Sequence, residues 1–310
     1  MAHGFNFSSD SQPRIAVLGA HGQLGSELCR QLGSAAVPVD RSRCELTRRD
    51  DVLRTLDEIA PDVVINTAAY NLVDRAEEEP ETCRAANADA VGHIAEACRR
   101  LNCTLVQVST AYVFDGHDRS VPYRESEPAH PISEYGRSKL EGEHRAAEHS
   151  RHLIVRAGPM LGPRPPQAKT TNFVDLMLRL GQTQPIVRVV NDQRCSPSHV
   201  RDIAKAIRVL LAAEKSGMAD YDIYHLAGRQ EATWHELAAE IFRRMQLPAM
   251  LVGVSTAEFA AAAPRPHYAV LDTKKYRALG GPEPRAWPEA LTEYLAELGD
   301  SWRLATDLAR

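Results

Sequence analysis

The run Gly19-Ala20-His21-Gly22-Gln23-Leu24-Gly25 restricts the fold more than any other stretch of the chain. It follows an apolar segment, Arg14-Ile15-Ala16-Val17-Leu18, and opens a stretch over 23–32 that reads as a helix. A tight strand-to-helix turn exploits glycine's freedom in φ. Missing Cβ atoms let the backbone approach a pyrophosphate, and the helix N-terminus offers free N–H groups and a positive dipole end. Three spaced glycines alone are a weak signal, but here they have the strand-turn-helix setting the motif demands. Gly19, His21, Gly22, Gln23, Leu24 and Gly25 are therefore candidate cofactor-binding residues.

Downstream of the turn, short β-rich runs alternate with helical stretches. Strands are predicted over 36–40, 62–66, 104–109 and 152–156, and helices over 50–60, 80–101 and 134–149. Continuously apolar strands alternating with helices imply a parallel sheet covered on both faces. After Gly158 the pattern changes to a Pro- and Gly-rich loop (159–169), helices over 172–180, 200–211 and 233–245, and short strands over 186–190 and 224–226. Thr233 and Glu236 have the spacing of a capping box. The expected class is α/β: a Rossmann-type doubly wound parallel sheet with a smaller C-terminal α+β substrate-binding region. Residues 13–160 form the dinucleotide-binding domain and 161–310 the substrate-binding region, some segments of which pack back on the first.

The chain has 310 residues, 25% of them charged, and a net charge of -4. That balance points away from nucleic acid or an anionic membrane as a partner. The Glu77-Glu78-Glu79 run reads as a solvated helix face. None of the six cysteines has Cys-x-x-Cys spacing, so no zinc pattern or other metal site is expected and the thiols read as reduced. Residues 1–12 are polar and lack the apolar core of a signal peptide; they read as a disordered lead. No apolar run is long enough for a membrane span. A cytoplasmic monomer or homodimer is expected.

Asp40 lies about 20 residues past the glycines, where a carboxylate would bind the adenine-ribose hydroxyl of NAD. Arg41 and Arg43 follow, and an Arg there accepts a 2′-phosphate instead. The residues point both ways, with a lean to NADPH over NADH. Glu45 and Leu46 are candidates to flank the adenine, and Ala68, Ala69 and Tyr70, past the third strand, to border the cofactor. Tyr135 and Lys139 are four apart on a predicted helix and share a face. A nearby ammonium favours phenolate and lowers the phenol's pKa. Thr110 ends a neighbouring strand, and its hydroxyl is placed to hold a carbonyl oxygen beside the tyrosine; Ser109 is the alternative.

On these runs the chain resembles the extended short-chain dehydrogenase/reductases, and among them the dTDP-4-dehydrorhamnose reductase family. The matching stretches include Gly19 to Gly25, Val64-Ile65-Asn66-Thr67-Ala68-Ala69-Tyr70, Val73-Asp74-Arg75-Ala76-Glu77, Asn87-Ala88, Val108 to Gly116, Tyr135 to Glu143, Asn172-Phe173, Arg265-Pro266 and Leu271-Asp272-Thr273-Lys274. The resemblance implies Thr110, Tyr135 and Lys139 as the catalytic residues. It places Asn87 on the cofactor side and Tyr112, Asn172 and Arg265 on the substrate side. It implies hydride transfer from NADPH or NADH to C4 of a 4-keto-6-deoxy sugar carried on a nucleoside diphosphate. Four departures from the family pattern stand out: Ala111 where Asp is usual, Arg156-Ala157-Gly158-Pro159 where a Trp is expected, Cys195-Ser196-Pro197-Ser198, and His267-Tyr268. The last two lie in the substrate-binding region, and the second adjoins its boundary. The rival readings are a nucleotide-sugar epimerase or dehydratase, and a non-catalytic regulatory subunit that keeps the dinucleotide fold.

Overall fold

The computed structural model describes residues 12–163, 165 and 172–299. The predicted lead over 1–12, except Gln12, and residues 164 and 166–169 of the predicted loop fall outside them. The first half builds β1 (Ile15–Leu18), α1 (Gln23–Leu32), β2 (Ala36–Val39), α2 (Arg49–Ile59), β3 (Val63–Asn66), α3 (Val73–Glu78), α4 (Pro80–Arg84), α5 (Ala90–Leu101), β4 (Thr104–Thr110), α6 (Glu134–Ala147) and β5 (His152–Ala157).

β2, β1, β3, β4 and β5 lie side by side, every pair parallel, and the strand Ile223–Leu226 adds a sixth member beside β5. The chain runs from β1 outward to β2, then crosses back to β3 on β1's other side. That reversal opens a crevice at the carboxyl ends of β1 and β3, where sheets of this kind bind ligands. Alternation along each strand divides the core into two layers. Ile15 and Val17 pack with α1 and the helix Val200–Lys215, whereas Ala16 and Leu18 pack with α2 and α5. Fully buried side chains such as Leu28, Ile65 and Val106 each contribute roughly 1.5–3 kcal/mol.

A third core lies in the second half, between the helices Phe173–Thr183, Trp234–Met245 and Trp287–Leu298 and the parallel strands Ile186–Val190 and Met250–Val254. The Thr233–Glu236 capping box forms as predicted, with Glu236 N donating to Thr233 Oγ1 at 3.0 Å and Thr233 N to Glu236 Oε2 at 2.7 Å.

Three details differ from expectation. The long helix expected over 80–101 is interrupted by a wide turn, Ala85–Asp89, in the i→i+5 pattern. Gly142 of α6 seats against it, and a Cβ there would stand 2.1 Å from the Asn87 carbonyl. His149, the last residue of the helix predicted over 134–149, lies past the end of α6 and is 2% exposed, with Nε2 against the Cys103 carbonyl at 2.8 Å. The acidic run is not a plain solvated face. Glu77 accepts the Glu134 N–H at the start of α6 at 2.9 Å, and Glu79 accepts the Tyr70 phenol at 2.9 Å. All six cysteines are free, and no helix among the described residues is long and apolar enough to cross a membrane.

Candidate active site

The glycine turn sits at the crevice. Gly19 N and Ala20 N donate to the Val39 carbonyl at 3.0 and 3.3 Å, which ties the turn to the end of β2. Gly19 has φ +76°, and a Cβ there would meet Ala68 N at 2.8 Å; at Gly25 it would meet the Gly19 carbonyl at 2.2 Å. The two glycines thus let the turn lie against the 67–70 loop and let α1 start directly over it, leaving a cradle that side chains would fill. Such a cradle at a helix N-terminus fits a dinucleotide pyrophosphate. Gly22 closes the turn, its N–H donating to Gly19 O at 2.8 Å. Leu24 is a core residue at 6% exposure, so only its backbone reaches the turn. Gln23 turns away and donates to the Gly162 carbonyl at 2.6 Å. His21 is exposed, 3.3 Å from Asp40.

Asp40 is engaged by its own loop. It accepts from Ser42 N at 2.9 Å, Ser42 Oγ at 2.6 Å and Arg43 N at 3.0 Å, and these bonds hold its carboxyl below the usual range. Arg41 is exposed and leans on Glu45 at 2.7 Å, whose carboxyl is lowered by that contact and by Thr47 against the opposing effect of burial. Leu46 is half-buried against the α2–α5 core. Past β3, Ala68 N donates to Asn66 Oδ1 at 3.1 Å and Tyr70 N to Asn87 Oδ1 at 2.8 Å. Asn87, 1% exposed, returns a bond to the Tyr70 carbonyl at 3.1 Å and another to Ser138 Oγ at 3.0 Å. Its side chain therefore holds the 68–70 loop against α6, a role its sequence position did not reveal.

Across the crevice, Ser133 caps α6 through a bond from Gly136 N at 3.1 Å, which places Tyr135 in the first turn and Lys139 one turn on. The Tyr135 hydroxyl lies beside that of Thr110, close enough to interact with it. Ser109 faces the opposite side of β4, where its Oγ donates to buried Glu143 at 2.6 Å. Of the two candidate hydroxyls, Thr110 is the one that meets the tyrosine. Burial drives the Tyr135 phenol well above its ordinary pKa, with the neighbouring Thr110 hydroxyl pulling the other way. The expected lowering by an adjacent ammonium does not prevail: burial dominates at the phenol, and Lys139 Nζ is bonded to the Val108 carbonyl at 2.7 Å. Lys139 is 4% exposed; burial brings it down to about 8, opposed by the Glu143 carboxylate. Glu143 itself is locked to Arg156 of β5 at 2.7 Å.

Tyr112 sits just past Thr110, its ring meeting that of Tyr135 edge-on at a centroid distance of 6.2 Å, and burial pushes its phenol up to about 12. Arg265 reaches Tyr112 from the second half while forking onto Asp74. Asn172 caps the helix Phe173–Thr183, accepting Asp175 N at 2.8 Å, and its amide donates to Gly162 O at 3.2 Å and Tyr294 at 2.9 Å. Neither His225, buried against Phe114, nor Trp234, packed on Phe173, joins this cluster. Among the described residues no group of His, Cys, Asp and Glu could hold a metal ion.

A dinucleotide cradle facing a Thr–Tyr–Lys cluster is one arrangement within a large class, and comparison with known proteins narrows it. Residues 13–299 match the family described as "RmlD substrate binding domain". The chain belongs to this family. It is 38% identical over 288 residues to the dTDP-4-dehydrorhamnose reductase of Streptomyces griseus, covering 91% of this chain and 93% of that one. It is 34% identical over 292 residues to the reductase of the same name from Aggregatibacter actinomycetemcomitans, covering 90% and 97%. Among solved structures it resembles the Bacillus anthracis dTDP-4-dehydrorhamnose reductase in complex with NADP, with TM-score 0.85, 33% identity, and 93% and 100% coverage. The fold extends to the NAD-bound UDP-glucose 4-epimerase of Thermus thermophilus, at TM-score 0.78 and 21% identity.

Proposed function

We propose that this chain is an NADPH-dependent reductase of a 4-keto-6-deoxy nucleotide sugar, in the manner of its dTDP-4-dehydrorhamnose reductase relatives, with NADH as the second-choice cofactor. The observation that carries the reading is the Thr110–Tyr135 hydroxyl pair at the carboxyl end of β4, with Lys139 buried one turn along α6. In this reading Thr110 and Tyr135 donate to the carbonyl oxygen of the sugar, and Tyr135 passes its proton to the alkoxide as the carbonyl is reduced. Burial suits the phenol to this direction, since it keeps the proton on the oxygen until a stronger base forms beside it. Lys139 places a cation near the phenolate left behind. The cofactor supplies the hydride, held by Gly19, Gly22 and Gly25 with Ala68, Ala69 and Tyr70 bordering it.

The relative bound to NADP supports the lean to NADPH. So does Arg41, which is exposed at the rim, while Asp40 is already occupied by Ser42 and Arg43. Tyr112 is assigned to the sugar side. Residues 13–160 carry the cofactor and 161–310 most of the substrate contacts, in a cytoplasmic monomer or homodimer with no nucleic-acid or membrane partner.

The test follows absorbance at 340 nm with dTDP-4-keto-6-deoxy-L-lyxo-hexulose and either cofactor. Wild-type protein is expected to oxidise NADPH faster than NADH. Tyr135→Phe should lose ~10²–10⁴-fold, the usual range for a general acid, while still binding NADPH. Cofactor binding without oxidation by the wild type would remove the reductase reading in favour of a regulatory subunit.

A further inference from the structure

The contact that joins α3 to the second half runs through one carboxylate. Asp74 accepts Arg265 Nη1 on Oδ1 at 2.9 Å and Arg265 Nη2 on Oδ2 at 2.7 Å, a two-pronged fork between residues 191 apart in sequence. The same carboxylate takes the Ala263 N–H at 3.0 Å, and Arg265 Nη1 donates back to the Ala263 carbonyl at 2.9 Å. Arg75, next door, is paired with Glu79, which leaves Asp74 to Arg265. The guanidinium lies beside the Tyr112 phenol and acts on it electrostatically, and the Tyr112 ring stands edge-on to that of Tyr135 at 6.2 Å and 84°. The contacts thus run from Asp74 through Arg265 and Tyr112 to Tyr135 and Thr110.

An Arg that reaches a substrate pocket invites assignment as a ligand for the diphosphate. Here both terminal nitrogens are engaged by a carboxylate that neutralises the charge, and the fork fixes the plane of the guanidinium. An ion pair half-open to solvent adds little to stability, so its value lies in geometry. Tyr112 follows Thr110 in a single turn of 3-10 helix, Ala111–Val113, and the forked Arg265 guanidinium stands beside its phenol.

We propose that Asp74 and Arg265 are positioning residues: a strap between the two halves that fixes Tyr112 against Tyr135 and thereby sets where the keto sugar lies. This rests on the reductase reading above. Asp74 and Arg265 act through Tyr112 and are not themselves expected to touch the reacting atoms.

The experiment is a double-mutant cycle on the full chain with Asp74→Asn and Tyr112→Phe, read by kcat and by KM for the keto sugar. Arg265→Lys serves as the variant that keeps the charge but loses the fork. Asp74→Asn and Arg265→Lys should each lower kcat/KM about tenfold, with NADPH affinity and Tm near wild type. On the Tyr112→Phe background Asp74→Asn should cost less than threefold more, because linked residues are non-additive. The charge-swapped pair Asp74→Arg with Arg265→Asp should recover part of the loss. Unchanged kinetics in Asp74→Asn, full additivity with Tyr112→Phe, or a parallel fall in Tm and NADPH affinity would each overturn the strap. If wild-type protein reduces no keto sugar, the reductase reading has failed, and the strap is judged by hydrogen exchange. Asp74→Asn should then deprotect the amides of 260–268 and weaken dTDP binding, and no change in either would overturn it.

Discussion

At the scale of single residues, Lys139 shows how burial sets chemistry. Its ammonium is 4% exposed, and burial lowers its pKa to about 8 from the ordinary 10.5. Above pH 8 it loses its proton, so kcat/KM should be flat below that value and fall as pH rises through it, a profile read by initial rates from pH 6 to 10. The stability consequence has the opposite sign. Between pH 8 and 10.5 the unfolded chain binds more protons at this residue, so stability gains with rising pH in that window. Below it the buried charge costs up to about 3 kcal/mol, at 1.36 kcal/mol per pKa unit. Lys139→Met should therefore be inactive yet no less stable than wild type in urea at pH 7, with its advantage shrinking at pH 10. A variant less stable at both pH values would mean that the bond to the Val108 carbonyl outweighs desolvation. The pairing of Tyr135 with Lys139 was legible because helical spacing alone puts them on one face. The choice between Ser109 and Thr110 was not, because it depends on Glu143 standing across β4 from 34 residues away.

At the scale of elements, what the sequence showed best was whatever has a local cause. The Thr233 capping box could be read from four consecutive positions, and the start of α1 from its glycine turn. The wide turn at Ala85–Asp89 could not, since it answers to Gly142 of another helix and to the reach of Asn87 toward the 68–70 loop. The acidic run misled for the same reason: Glu77 and Glu79 find partners outside the run, at Glu134 N and the Tyr70 phenol. The two capped helices make a controlled comparison. Ser133→Ala and Thr233→Ala each remove a side-chain cap and should each cost about 1 kcal/mol of unfolding free energy in urea. Only Ser133→Ala loosens the first turn of α6, which carries Tyr135. It should also lower kcat severalfold, whereas Thr233→Ala should leave kcat unchanged. Equal kcat in the two variants would show that the α6 cap does not govern the tyrosine.

For the whole molecule, the decisive fact is that the second half completes the first. The strand Ile223–Leu226 pairs with β5 in register from Ile223 with Ile154 to Leu226 with Ala157. The helix Val200–Lys215 supplies Ile203, Ile207 and Leu210 to the core beneath α1. Gln23, Asn172 and the Gly162 carbonyl add a polar link between the glycine turn and the second-half core, and Asp74 with Arg265 adds another. Without its later segments the first half would leave the sheet edge beside β5 unpaired and the apolar face of α1 in water, so a fragment of residues 13–160 should aggregate rather than bind NADPH. The full chain should unfold as one unit, and its tryptophans allow this to be tested. Trp234 and Trp287 pack against the second-half core, so a change in their fluorescence reports that half, while NADPH binding reports the first and far-ultraviolet circular dichroism reports both. Coincident urea transitions by the three probes are expected. A tryptophan transition at lower urea, with NADPH still bound, would mean that the sheet survives without its sixth strand and that the two halves are separate folding units.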